Sequence, residues 1–180
     1  LKPVFERPYG NVTAGNSSQI TDGASWTLLA SEEAVREHDL KPLARIVDSH
    51  WVGLDPSIMG LGPALAIGGL LKKRAMLLAD AGLFEINEAF AAQVISCVRA
   101  LADDRVSRDV MGLDSAAGEI PSDRLNVDGG AIALGHPVAT SGARITLHLA
   151  NAMRQRGVRL GLASQCIGGG LGGAMLLEAA

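Results

Sequence analysis

Two side chains able to carry protons near neutral pH stand among glycines in the last third of this 180-residue sequence. His136 lies in Gly129-Gly130-Ala131-Ile132-Ala133-Leu134-Gly135-His136-Pro137, and Cys166 opens Cys166-Ile167-Gly168-Gly169-Gly170. A neutral imidazole can take a proton from a thiol or donate a hydrogen bond to a carbonyl oxygen. A thiol, with an unperturbed pKa of about 8.5, can shuttle a proton. Backbone N–H groups of a glycine run are unshielded by side chains and can meet an oxyanion. A free cysteine is most often a small buried hydrophobe, and the glycine turn beside Cys166 argues against that reading. The pair points to acyl-transfer chemistry. Cys97, mid-helix among Val94, Ile95 and Val98, reads instead as core.

A third group sits in Asn87-Glu88-Ala89-Phe90-Ala91, at an expected strand-to-helix junction. Asn87 suits a helix N-cap with Glu88 near the positive helix end. It also suits an amide at the carboxyl end of a strand, where α/β sheets place ligands. Both readings can hold at once.

The elements that must position these groups follow from patterning. Residues 10–25 read as a polar loop rich in Gly, Asn and Ser, and Trp26–Ala30 as a buried strand. Ser31 caps a short helix to about Glu37, with Glu32 and Glu33 in its first turn. A strand is expected over Ala44–Val52 and a loop over Leu54–Gly62. Pro63 opens a helix to about Leu71, continuing through Lys72–Ala79. Leu83–Ile86 reads as a strand, Glu88 to Leu101 as a helix and 103–123 as an insertion loop. After an irregular stretch at 126–140, Ser141–Arg156 forms an amphipathic helix ended by Gly157. Leu160–Ser164 and Ala174–Leu177 then form an antiparallel hairpin around the Cys-Ile-Gly-Gly-Gly turn. Strands alternating with helices predict an α/β layered domain, with no second domain boundary and no internal repeat.

Composition narrows the function classes. Apolar residues are 48% and charged residues 19%, a globular balance. A net charge of −3 and 3% aromatics give no footing for nucleic acid or an anionic membrane. No apolar stretch reaches the roughly 18 residues of a membrane span. Two cysteines make no disulfide framework, which predicts a reducing compartment.

These segments, taken together, resemble the thiolase family. The resemblance runs in the family's order through Val12-Thr13-Ala14-Gly15-Asn16-Ser17-Ser18, Asp22-Gly23-Ala24, Met59-Gly60 and Gly62-Pro63. It continues through Asn87-Glu88-Ala89-Phe90-Ala91, Gly135-His136-Pro137, Ser141-Gly142-Ala143-Arg144 and Cys166-Ile167-Gly168-Gly169-Gly170. It implies the C-terminal half of a layered α/β/α thiolase-like fold, with a mixed sheet ending in an antiparallel hairpin. Residues 1–180 would form the thiolase C-terminal domain, with the end of the family's loop region in 1–25. The implied activity is acyl transfer to or from coenzyme A. In the implied division of roles, His136 activates a nucleophilic Cys and, with Asn87 acting through a bound water, lines one oxyanion hole. Cys166 removes or returns the α-proton, and the Gly168 N–H serves the other oxyanion hole. Ser18, Met59, Ala89 and Phe90 match positions that contact the pantetheine or acyl part of the substrate.

Neither Cys97 nor Cys166 matches the family's acyl-accepting Cys. The resemblance therefore implies an N-terminal half carrying that Cys, as a separate chain or as another part of a longer polypeptide. A start at Leu1 rather than Met is in keeping with this expectation. The long segment between Phe90 and Asn126, and Ala139 where short biosynthetic thiolases have Gly, lean towards thiolytic cleavage of 3-ketoacyl-CoA in fatty-acid β-oxidation. Asn87 stands where many of those degradative enzymes carry His. Alternatives are biosynthetic acetoacetyl-CoA formation and a non-catalytic thiolase-like subunit. A ketoacyl synthase-type enzyme is disfavoured by Cys166. No metal or redox cofactor is implied, since Cys and His are too few and wrongly spaced for a zinc site; coenzyme A thioesters are the implied substrates and products. The expected assembly is a dimer or tetramer, in the cytoplasm or in a mitochondrial matrix.

Overall fold

The computed structural model describes residues 1–180. Four strands make one mixed sheet: β1 (Ala44–Gly53), β2 (Leu83–Ile86), β3 (Leu160–Ile167) and β4 (Leu171–Ala179). The spatial order is β1-β4-β3-β2. β4 runs antiparallel to both β1 and β3, and β2 lies parallel to β3. The mixed sheet and terminal hairpin expected from the sequence are present.

Alternation along the strands sends side chains to two cores. Phe84, Ile86, Leu162 and Leu176 face helices α2 (Gly62–Arg74) and α3 (Ala91–Ala102), packing with Ile67, Leu70, Cys97 and Leu101. Leu83, Ala163 and Leu177 face helix α6 (Val138–Arg156), packing with Ile145, Leu149 and Met153. Fully burying a side chain of this size contributes about 1.5–3 kcal/mol, so both helical layers are firmly attached. Gly62 and Gly172 allow α2 to start directly against the backbone of β4; a Cβ on either would run into the other residue. Three shorter helices complete the chain: α1 (Glu32–Glu37), α4 (Asp104–Asp109) and α5 (Ala131–Leu134).

Several expected boundaries move for physical reasons. Trp26–Ala30 is not a strand: it pairs with nothing, and Trp26 and Leu28 are 90% and 83% exposed. Apolar β-formers make a strand only when a sheet edge is there to receive them. The helix from Gly62 does not continue to Ala79, because Ala75 adopts a left-handed conformation (φ 49°) and closes it. Leu54–Gly62 holds a 3-10 helix at Pro56–Leu61 with Asp55 as its cap. The 103–123 stretch contains α4, capped by Asp103. α6 begins at Val138, three residues before the expected start, directly after Pro137. β3 and β4 extend past Cys166, so the turn proper is Gly168–Gly170.

Candidate active site

The parallel pairing of β2 with β3 determines where the site lies. The Asn87 N–H donates to the Ser164 carbonyl at 2.9 Å, continuing the ladder by one residue. That brings Asn87 to the carboxyl end of the sheet, level with the strand end that carries Cys166. Asn87 is not a helix cap. α3 starts at Ala91 behind an extended Phe90 and has no side-chain cap. The Asn87 amide turns instead towards the next loop, with Nδ2 3.3 Å from His136 Nε2. Its Oδ1 is buried and has no partner within the chain. An unsatisfied buried acceptor costs about 1–3 kcal/mol, a cost removed when water or a ligand donates to it.

His136 is held from three sides. Its N–H donates to the Gln19 carbonyl at 2.9 Å, tying it to the N-terminal arm. Gly135 takes a φ of 96°, and a Cβ there would strike Thr21. The ring nitrogen Nδ1 lies 2.6 Å from Ser141 Oγ. Burial, seconded by the Arg144 guanidinium, pushes the imidazole pKa below its ordinary value. The ring is therefore a neutral base at pH 7.

Cys166 is 8% exposed, and burial pushes its thiol pKa up, which favours the protonated thiol at neutral pH. Gly169 and Gly170 turn the chain at φ 88° and 85°, leaving Gly168 exposed on the outer side. The Gly170 carbonyl accepts from the Leu54 N–H at 2.8 Å, and a Cβ on Gly170 would collide with Leu54 and Pro56. Cys97 provides the contrast. It is fully buried and donates to the Gly60 carbonyl at 3.1 Å, and its thiol pKa is pushed up to about 11.

The arm delivers Ser18 to the same place. Ser18 N–H donates to the Ala89 carbonyl at 2.9 Å, Ala91 N–H donates to Asn16 at 2.9 Å, and Ser17 bridges Phe90. Ser18, Ala89 and Phe90 are thus brought together, and Asn87 meets His136 directly. Met59 lies in the 3-10 turn beside α3, and no hydrogen bond joins Cys166 or Gly168 to His136 or Asn87. Three supporting residues were not anticipated. Asn126 pairs with both the N–H and the carbonyl of Ile86 at 2.9 Å, closing the free edge of β2. Glu88 accepts from Asn126 Nδ2 at 3.0 Å and from Ile132 N–H at 3.2 Å, fixing the loop that leads to His136. Ser141 is the third; the sequence marked it as the start of a family-like segment and of a helix, five residues after His136, without a contact to the ring. No group of three or more His, Cys, Asp and Glu side chains is placed to hold a metal ion.

Comparison with known proteins identifies the family. Residues 40–179 match the family described as thiolase, C-terminal domain, and residues 1–33 match thiolase, N-terminal domain. The chain is 48% identical over 178 residues to 3-ketoacyl-CoA thiolase, mitochondrial, of Bos taurus, covering 99% of this chain and 40% of that protein. The crystal structure of human mitochondrial 3-ketoacyl-CoA thiolase in complex with CoA superposes with a TM-score of 0.83 at 46% identity, over 100% of this chain and 41% of that one. The Bacillus anthracis acetyl-CoA acetyltransferase structure gives the same TM-score at 44% identity and the same coverage. The chain thus spans about two fifths of the length of these relatives. It belongs to the thiolase family.

Proposed function

We propose that this chain supplies the C-terminal half of a thiolase active site whose complete form cleaves 3-ketoacyl-CoA to acetyl-CoA and a shortened acyl-CoA. The observation that carries the reading is the Asn87–His136 contact, 3.3 Å long, at the end of the sheet that also carries Cys166. In the proposed cycle a thiolate of the N-terminal half, deprotonated by His136 Nε2, attacks the 3-keto carbon. The Cα–Cβ bond breaks, leaving an acyl thioester on that Cys and an acetyl-CoA carbanion. Cys166 protonates the carbanion; the incoming coenzyme A thiol restores the Cys166 proton as its sulfur takes the acyl group, and the N-terminal Cys leaves as a thiolate that takes its proton back from His136. Gly168 N–H and a water held by Asn87 and His136 would receive the two thioester oxygens. Each such donor is worth roughly 3–4 kcal/mol in the transition state. The unpartnered Asn87 Oδ1 supports a bound water at that point. Ser18, Met59, Ala89 and Phe90 would line the pantetheine and acyl path, with coenzyme A and its thioesters as substrates and products.

The name of the Bacillus relative favours a second reading, acetoacetyl-CoA formation by the same residues run in reverse. The proposed assembly is a dimer or tetramer containing the N-terminal half, in a cytoplasm or a mitochondrial matrix. No helix is long and apolar enough to cross a membrane. The test is an assay of the chain joined to, or mixed with, a thiolase N-terminal domain. Coenzyme A-dependent loss of 3-ketoacyl-CoA, abolished by Cys166→Ala and by His136→Ala in a folded assembly, is the expected result. Full rates in either variant would overturn the reading.

A further inference from the structure

We propose that Ser141 is a positioning residue that holds the His136 ring in one tautomer, with the proton on Nδ1 and the lone pair on Nε2. The inference rests on the catalytic reading of His136 and adds to it the residue that makes Nε2 a base. Two neighbours face the ring. On one side Asn87 Nδ2, which can only donate, stands 3.3 Å from Nε2. On the other side Ser141 Oγ stands 2.6 Å from Nδ1 and 3.2 Å from the Pro137 carbonyl. A carbonyl can only accept, so the hydroxyl proton has an acceptor away from the ring and the oxygen's lone pairs are free for Nδ1–H. With Nδ1 protonated, each proton in the row has an acceptor: Asn87 to Nε2, Nδ1 to Ser141, Ser141 to Pro137. With Nε2 protonated, two donors face each other across the Asn87 contact and Ser141 must give up its bond to Pro137.

The fold makes this arrangement rigid. Ser141 is fully buried, in the first turn and a half of α6, and its own N–H donates to the Pro137 carbonyl at 3.0 Å. The 19-residue helix points its positive end towards the ring, which disfavours an imidazolium. A cationic ring would need an acceptor on both nitrogens, and Asn87 Nδ2 offers none at Nε2. The same features that keep the ring neutral also direct its lone pair.

The tautomer is read directly by long-range proton–nitrogen NMR of the ¹⁵N-labelled chain, with the His136 signals assigned by their loss in His136→Gln. This needs neither substrate nor N-terminal half, so it stands apart from whether the assembly is a thiolase. The expected spectrum at pH 8 shows His136 wholly in the Nδ1–H form. Ser141→Ala should convert it to a mixture with substantial Nε2–H, and Ser141→Thr, which keeps the hydroxyl, should restore the single form. Asn87→Asp, which replaces the donor by an acceptor, should drive the ring to Nε2–H even with Ser141 intact. An Nε2–H ring in the unmodified chain, or an unchanged Nδ1–H ring in a folded Ser141→Ala, would overturn the proposal. In an active assembly Ser141→Ala should lower kcat by up to about 10²-fold, the scale of a displaced catalytic group, with KM little changed.

Discussion

The first 43 residues and the 137 that follow are built on opposite principles. In the body, from Ala44 onward, apolar side chains close two cores on the two faces of one sheet. In the arm no residue is buried at all, although it carries Trp26, Leu28, Leu29 and Ile20, all strongly exposed. The arm attaches through hydrogen bonds: Ser18 to Ala89, Ala91 to Asn16, His136 to Gln19, and Thr140 Oγ1 to the Gly23 carbonyl at 2.8 Å. These bonds fall on the two loops that carry Asn87 and His136 and on the first turns of the helices that follow them. The body makes the chemical groups and the arm straps their loops together. Burial is thus supplied by the body alone, while the arm adds hydrogen bonds to site loops that the body already positions, and substitutions should separate the two.

The largest separation is in rate. His136→Ala or Cys166→Ala in an active assembly should lower kcat by about 10²–10⁴-fold, the usual worth of a general acid or base, with little loss of stability. Ser18→Ala in the arm should change KM by about tenfold or less, because its backbone bond to Ala89 survives and at most one side-chain contact is lost. Steady-state kinetics beside thermal melts distinguish the two; a 10³-fold drop in kcat for Ser18→Ala would give the arm a chemical role and break the contrast.

Next in size is packing. Gly172→Ala puts a methyl group into the backbone of Gly62 and should cost about 1–3 kcal/mol by overpacking, read as a lower denaturant midpoint. In the arm, Gly15→Ala meets only the end of the Leu1 side chain and should stay within about 0.5 kcal/mol of zero. Cys97→Ala, in the body but away from the reacting groups, should lower stability by about 1–3 kcal/mol through a small void and an orphaned Gly60 carbonyl, leaving kcat intact.

What could be read from the sequence divides along the same line. The histidine and cysteine motifs were legible because glycine beside a reactive side chain signals close backbone approach, and β2 was legible to the residue because Leu83–Ile86 is short, apolar and bounded. Patterning placed Asn87 at the ligand-facing end of a strand as one of two readings, while family resemblance alone suggested its detailed role and that of Ser18. Patterning misjudged Asn87 as a possible cap because local capping preference ignores a tertiary partner; His136, 49 residues away, takes the amide. Ser141 was legible as part of a family-like segment, but its contact with the His136 ring was not, because that contact depends on a helix starting at Val138, three residues before the expected start. Trp26–Ala30 was misread because a strand needs a neighbour that local sequence does not contain.

A smaller effect lies in pH. Burial and Arg144 lower the His136 pKa below the ordinary 6.5, and burial raises that of Cys166 above its ordinary value. The active form, with His136 neutral and Cys166 protonated, should therefore persist on both sides of neutrality. The acid limb of kcat/KM should fall below pH 6.5. The sign for stability is the same: a base with a depressed folded pKa binds fewer protons folded than unfolded. Its contribution is present above pH 6.5 and is lost as pH falls through the folded value. An acid limb centred above pH 6.5 would remove His136 from the role of base.

The smallest effect is the most telling about the arm. Trp26→Ser and Leu28→Ser together should leave the stability of this chain within about 0.5 kcal/mol, because surface positions without partners rarely matter more. Within the body, truncating an apolar side chain such as Leu149 should cost about 2–5 kcal/mol. The same arm substitutions should matter once an N-terminal domain is present. Residues 1–33 match that domain's family, and a Thr27–Leu29 face already borders an open apolar trough of about 260 Å³ with Trp51, Ile46 and Ala143. Exposed apolar residues beside an open apolar trough make a surface that another domain can cover. Measured by titration of the chain with a separately produced thiolase N-terminal domain, affinity should fall at least tenfold for the double variant while the melting point of the chain alone stays put. If instead the chain alone melts several degrees lower, the arm packs on its own body, and the division between a self-sufficient body and a strap awaiting its second half is wrong.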